Sequence, residues 1–397
     1  MKRSICIIYI LCHSIVYGDW LNFRGNLSNG SISFDPEIKF EQNIDKSWKT
    51  KLPGRGLSSP ILVDDKIFLT ACTGPKQETL HVLCFAEDDG SMIWQRKFQA
   101  TGRTICHEKT CVAAPTMCSD GDRVIAQFSS NDIFCLNLSG DLLWLRGLTY
   151  DFPNAANGLG MSSSPLIANG ILVAQVENDA YSFTTGLDLK NGTTIWKKER
   201  PKAANWTSPV LVKKAGLSCI LLQSKEGVSI IDPKDGKELS FYDGGASTIP
   251  SSTPLENILL VPSNGMTALK ISKPNNSLTE LWNDNKLGPG TASPSISGNR
   301  FLVINKANVL SCANIESGEI LWRKRMKGPF SGSMIATPKH LYLFNEEGLG
   351  QKVSLNDDGG EVISSIQLNE TILCTPAISN KGLYIRSDKN LWKFPAN

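Results

Sequence analysis

The sequence predicts an all-β protein, an eight-bladed β-propeller, and three observations predict it. A turn-plus-tryptophan unit recurs roughly every forty-five residues along the chain. A small residue followed by Pro recurs about thirty residues before each of those turns. No long amphipathic helical pattern interrupts the series.

Residues 1–18 come first and have the pattern of a secretory signal. Lys2 and Arg3 precede the apolar stretch Ile5 to Val16, and Val16-Tyr17-Gly18 places small enough residues at the cleavage positions. The stretch is shorter than the ~20 residues a membrane-spanning helix needs, and no later segment is long and apolar enough to span. An exported chain is expected, periplasmic or extracellular. Residues 19–45 follow as an N-terminal extension, and 46–397 as the propeller.

The turns are Asp89-Gly90 before Trp94, Ser139-Gly140 before Trp144, Asn191-Gly192 before Trp196, and Ser317-Gly318 before Trp322. A degenerate copy ends at Trp282, and two more keep the turn but end at Ser240 and Ser364. Such dipeptides supply the positive φ of tight hairpins, so each unit is strand, turn, strand. The second marker is Ser59-Pro60, Ala114-Pro115, Ser164-Pro165, Ser208-Pro209, Thr253-Pro254, Ser293-Pro294 and Thr375-Pro376, with Ser333-Met334 in the remaining place. Pro is tolerated at a strand start and not in its middle, so these mark the first strand of each unit. The last unit has only three strands before Asn397. Residues 46–52, with Trp48 in the position of the other tryptophans, supply the fourth and close the ring with both termini in one blade. Trp48, Trp94, Trp144, Trp196, Trp282 and Trp322 are therefore assigned to docking between blades, and Cys84, Cys135 and Cys312 to buried filler.

Formal charge is +3, about +1 without Lys2 and Arg3, and no long charge run exists. Nucleic acid is a poor partner for so weak a field. Nine cysteines remain beyond the signal. Cys106 and Cys111 could form a loop disulfide or stay free. A metal site from Cys106, His107 and Cys111 lacks a fourth ligand and matches no zinc spacing, so no metal is expected.

The repeat units, most cleanly 187–196 and 312–322, resemble the tryptophan-docking motif of pyrroloquinoline-quinone (PQQ) type propellers. More narrowly, 20–30, 52–60 and 383–392 look like the BamB-like group of exported bacterial propellers. The resemblance implies a non-catalytic scaffold that binds a protein or glycan, associated with the outer membrane. The alternative it implies is a PQQ- and calcium-dependent alcohol or sugar dehydrogenase. Such enzymes carry a vicinal disulfide, and this chain has no Cys-Cys dipeptide. Asp88, Asp89, Asp179, Asp232, Asp235, Asp357 and Asp358 sit mostly in hairpin turns, where turn chemistry accounts for them. No cofactor and no catalytic residue are expected, and a monomer is expected.

A binding face should lie on the loops at one end of the ring. The candidates are residues the repeat does not explain: Arg55, His107, Lys109, Asn157, Arg200 and Trp206.

Overall fold

In the computed structural model, which describes residues 18–40, 46–155, 158–214, 217–272, 276–356 and 359–396, eight four-stranded antiparallel sheets stand in sequence order. Blade 1 consists of Ile61–Val63, Lys66–Thr73, Thr79–Ala86 and Met92–Gln99, and six further blades repeat it up to Gln367. Blade 8 takes Ala377–Ile378, Gly382–Arg386 and Asn390–Pro395 from the C-terminus, and its outer strand Trp48–Lys51 from the N-terminal side. Trp48 stands opposite Lys393 in that closure. Residues 1–17 of the expected signal segment lie outside the described residues. Among the described residues no helix is long and apolar enough to cross a membrane.

The tryptophans hold neighbouring blades together by one repeated geometry. Trp144 is 8% exposed, and its Nε1 donates to the carbonyl of Leu189 in the next blade at 3.0 Å. Its ring lies over Gly192, where a Cβ would come within 2.6 Å of it. Gly192 has φ +73°, so the turn needs glycine both for its backbone and for its bareness. Trp48, Trp94, Trp196 and Trp282 donate in the same way to Glu87, Leu138, Pro233 and Ile315. Trp322 packs on Gly360. Each indole needs room within its own blade, and the residue opposite it is small: Cys84 for Trp94, Cys135 for Trp144, Gly186 for Trp196, Ala268 for Trp282 and Cys312 for Trp322.

Immediately after each of these pairs the register slips by one residue, a bulge. The extra residue is the aliphatic one before the tryptophan. Released from the pleat, it turns outward. Ile93, Leu143, Ile195, Leu281 and Leu321 are 40–48% exposed, as is Ile363 at 50% in the equivalent place of blade 7. These side chains form a broken apolar belt around the rim, and the bulges interrupt the outer edges as templates for a further strand.

The strand starts differ from the Pro marker in two blades. Pro254 falls inside the strand Thr253–Leu255, and Pro115 precedes Cys118–Ser119 by three residues. The segment 18–40, set apart as an extension by its sequence, is built into the propeller. Trp20 pairs with Leu62, Ser31 with Ala336 and Ile38 with Ala396, and Trp20, Ile38 and Phe40 share the core of blades 1, 7 and 8. The segment thereby covers the end of the ring that carries the first hairpin of each blade.

Candidate functional site

The loops that carry the chain from each outer strand to the next inner strand meet at the opposite end of the ring. They surround a central funnel with a cavity of about 460 Å³. Every one of the eight loops contributes to its wall. Leu57, Leu159, Trp206, Ile249 and Leu373 form the apolar upper part, and Phe23 of the N-terminal segment reaches the cavity from the covered end.

Two residues before each inner strand stands a hydroxyl, and the eight hydroxyls form a closed ring. The backbone N–H of Ser59 donates to Thr116 Oγ1, that of Thr116 to Ser164, Ser164 to Ser208 and Ser208 to Ser251. Ser251 donates to Ser293, Ser293 to Ser333, Ser333 to Thr375, and Thr375 back to Ser59. The distances run from 2.9 Å to 3.2 Å. A buried loop amide needs an acceptor, and here each blade supplies one to its predecessor. Each hydroxyl oxygen accepts one of these amides and keeps its own proton to donate. Among the described residues none of the eight donates to a protein acceptor, although all eight line the cavity and none is more than 4% exposed.

Arg24 follows Phe23 and lies behind this ring. It is 1% exposed. Its guanidinium donates to the carbonyl of Ser252 at 3.0 Å, to Thr253 Oγ1 at 2.7 Å and to the carbonyl of Pro294. Among the described residues no carboxylate pairs with it, its Nε has no partner, and burial alone lowers its pKa to about 9. Arg24 has φ +64° and Gly25 +81°. A Cβ on Gly25 would lie 2.7 Å from the Trp20 ring, so this tight turn requires glycine.

At the mouth, Lys109 Nζ reaches Glu346 Oε2 in blade 7 at 3.2 Å, and Ser331 donates to the other oxygen of Glu346. His107 is exposed beside it, its N–H donating to the carbonyl of Leu159. Trp206 Nε1 donates to the carbonyl of Gly160 at 2.9 Å, leaving a ring face on the funnel. The structure thus brings His107, Lys109 and Trp206 to one cavity.

The other candidates stand elsewhere. Arg55 does not line the cavity. It buttresses the 101–117 loop, donating to the carbonyl of Glu108 at 2.9 Å and facing Asp388 at 3.7 Å. Arg200 is corrected from binding residue to buried structural cation: its Nε meets Glu177 at 2.7 Å, both side chains being at most 4% exposed, and Asn205 donates to the same carboxylate. Asn157 lies outside the described residues. Cys106 and Cys111 are both free thiols. Cys111 is buried among Val112, Ala113 and Cys72, whereas Cys106 is half-exposed and accepts from Gln77 Nε2, so they face different neighbours.

Three of the acids expected in turns behave as turn residues, whereas Asp88 faces Lys381 at 3.3 Å. Asp89, Asp232 and Asp235 accept backbone N–H bonds two residues on, and Asp179 accepts from Ala204. Asp357 and Asp358 lie outside the described residues. A PQQ–calcium site needs carboxylate and amide oxygens about a hard cation. Among the described residues the funnel wall holds no Asp, Glu, Asn or Gln, and no cluster of three potential metal ligands exists. The residues present do not fit that group.

Comparison with known proteins places the chain in a family. The profile of the family described as outer membrane protein assembly factor BamB matches residues 45–158, 154–243 and 275–396, and the chain belongs to that family. BamB from Moraxella catarrhalis has a similar structure, at 15% identity and a TM-score of 0.63 over 87% of this chain and 98% of that one. A europium-containing methanol dehydrogenase matches with TM-score 0.71 at 12% identity, over 93% of this chain and 89% of the other. The quinohemoprotein alcohol dehydrogenase of Comamonas testosteroni matches with TM-score 0.69 at 11% identity, over 95% and 80%. No curated protein sequence matches the chain. At these identities the structural likenesses define the propeller fold and leave function to the site.

Proposed function

We propose that the protein is a non-catalytic, exported scaffold that binds rather than transforms what it meets, in the manner of an outer-membrane assembly factor. The observation that carries this reading is the chemistry of the funnel. Its wall consists of aliphatic and aromatic side chains above a ring of hydroxyls, groups that hold a ligand by contact and hydrogen bonding. No described side chain there is placed to take a proton from an alcohol as an oxidation requires, apart from the exposed His107 at the rim.

The apolar rim supports a protein partner. Six exposed aliphatics around a ring of edges bulged away from strand pairing favour side-chain docking over strand addition. Export is inferred from residues 1–18 and from the family.

Photo-crosslinking in the native host tests the reading. A photoreactive residue at Ile93 or Leu321 on the rim should give a discrete adduct of higher mass, and one at the exposed turn residue Lys234 should give none. Equal labelling from all three positions, or none from any, would contradict it.

A further inference from the structure

The closed hydroxyl ring has a consequence for what the funnel accepts. Eight buried hydroxyls each accept one neighbouring amide and keep their protons free to donate into one cavity. Buried donors without acceptors are costly, and a ligand rich in acceptors relieves that cost. Directly behind the ring, between Ser252 and Pro294, lies the guanidinium of Arg24, which has no carboxylate partner among the described residues. An uncompensated cation away from water projects its field further than an exposed one. The lower funnel is therefore a region of hydroxyl donors and positive potential. Its upper part is apolar, through Leu57, Trp206, Ile249 and Leu373. Lys109 at the mouth is neutralised by Glu346 and adds little net charge.

We propose that the funnel is a receptor site for a small organic anion, with a carboxylate or sulfonate toward the hydroxyl ring and an apolar body against Trp206 and the upper wall. The cavity volume of about 460 Å³ lies within the range of small-molecule sites, and Phe23 with the N-terminal segment closes its far end, which suits a compact ligand. This inference rests on the binding reading above and specifies its ligand class.

Calorimetric titration of the intact signal-free protein with phenylacetate and with the isosteric neutral phenylacetamide tests it. Phenylacetate should bind at least tenfold more tightly than the amide, with its affinity falling as salt rises. Arg24→Gln should remove most of that preference, Arg24→Lys should restore it to within about threefold, and the amide affinity should not change. Thermal melts of both variants report whether the fold survives, and the wild-type ratio needs no variant. Equal affinity for the two probes would overturn the anion inference while leaving the binding reading standing. Absence of binding by phenylacetate would overturn it as well.

Discussion

The indole N–H of Trp144 in blade 2 donates to the carbonyl oxygen of Leu189 in blade 3 at 3.0 Å, across the cleft between two sheets. The ring beneath that bond replaces a missing side chain on Gly192, so one residue supplies a directional bond and a large apolar contact at once. Trp144→Ala should lower stability by about 3–5 kcal/mol, and Trp144→Phe by about 1 kcal/mol, the value of the lost bond. Urea unfolding monitored by circular dichroism measures both. Unchanged midpoints would exclude the docking role.

Gly192→Ala attacks the same contact from the other side. The new Cβ meets Trp144 at 2.6 Å on a backbone with φ +73°. It should destabilise by more than ~1 kcal/mol, whereas Gly170→Ala, at φ +75° with nothing near its Cβ, should show only the backbone cost. The difference between the two melts isolates the steric part.

Arg200→Met should leave Glu177 buried without its cation and cost ~3–5 kcal/mol. Funnel binding by the folded fraction should be unchanged, because Arg200 does not line that cavity. A loss of affinity at unchanged stability would return Arg200 to the binding face.

Acid should loosen the ring closure through Glu370. Burial would raise its pKa, but donors from Asn390, Ser387 and Lys49 outweigh burial and hold it below the ordinary 4.5. A carboxylate depressed in the folded state stabilises above its unfolded pKa, and the contribution is lost as pH falls through 4.5 toward the lower folded value. Lys49 belongs to the N-terminal strand that completes blade 8, so the loss falls on the closure. Glu370→Gln should be less stable than wild type at pH 7, and the gap should narrow as pH falls below 4.5 in urea titrations. A constant gap would rule out the linkage.

Cys106 is half-exposed, whereas the remaining described cysteines are buried. A thiol reagent should modify Cys106 in the native protein, reductant should leave the melting temperature unchanged, and Cys106→Ser should abolish the native-state reaction. A Cys106–Cys111 disulfide found by peptide mass mapping would contradict this.

The propeller was legible because its determinants are local and repeated. Turn glycines, tryptophans and small opposing residues each recur at fixed offsets, and the strand Trp48–Lys51 could be assigned to blade 8 because it carries the same tryptophan. Trp206 was legible for the opposite reason, as an aromatic outside the register that the blades do not need. The hydroxyl ring was half visible. Most of its residues stand in the sequence as the small partner of Pro, and the two blades where Thr116 and Ser251 replace the expected position show that the hydroxyl, not the proline, is the repeated element. Arg200 departs from the sequence expectation because adjacency to a blade marker carries no information about Glu177, twenty-three residues earlier. Arg24 was not visible at all. Its place depends on a segment outside the repeat crossing the ring to reach Ser252 and Pro294, contacts more than two hundred residues away.

The central claim, binding in place of oxidation, is tested most directly by dye-linked alcohol and sugar oxidation with the purified protein, PQQ and calcium. Dye reduction is the readout to follow, because an anionic quinone could occupy the funnel without reacting. The account predicts no calcium-dependent dye reduction with any alcohol or sugar, whether or not PQQ binds. Saturable, calcium-dependent turnover would contradict it and make the protein a quinoprotein dehydrogenase.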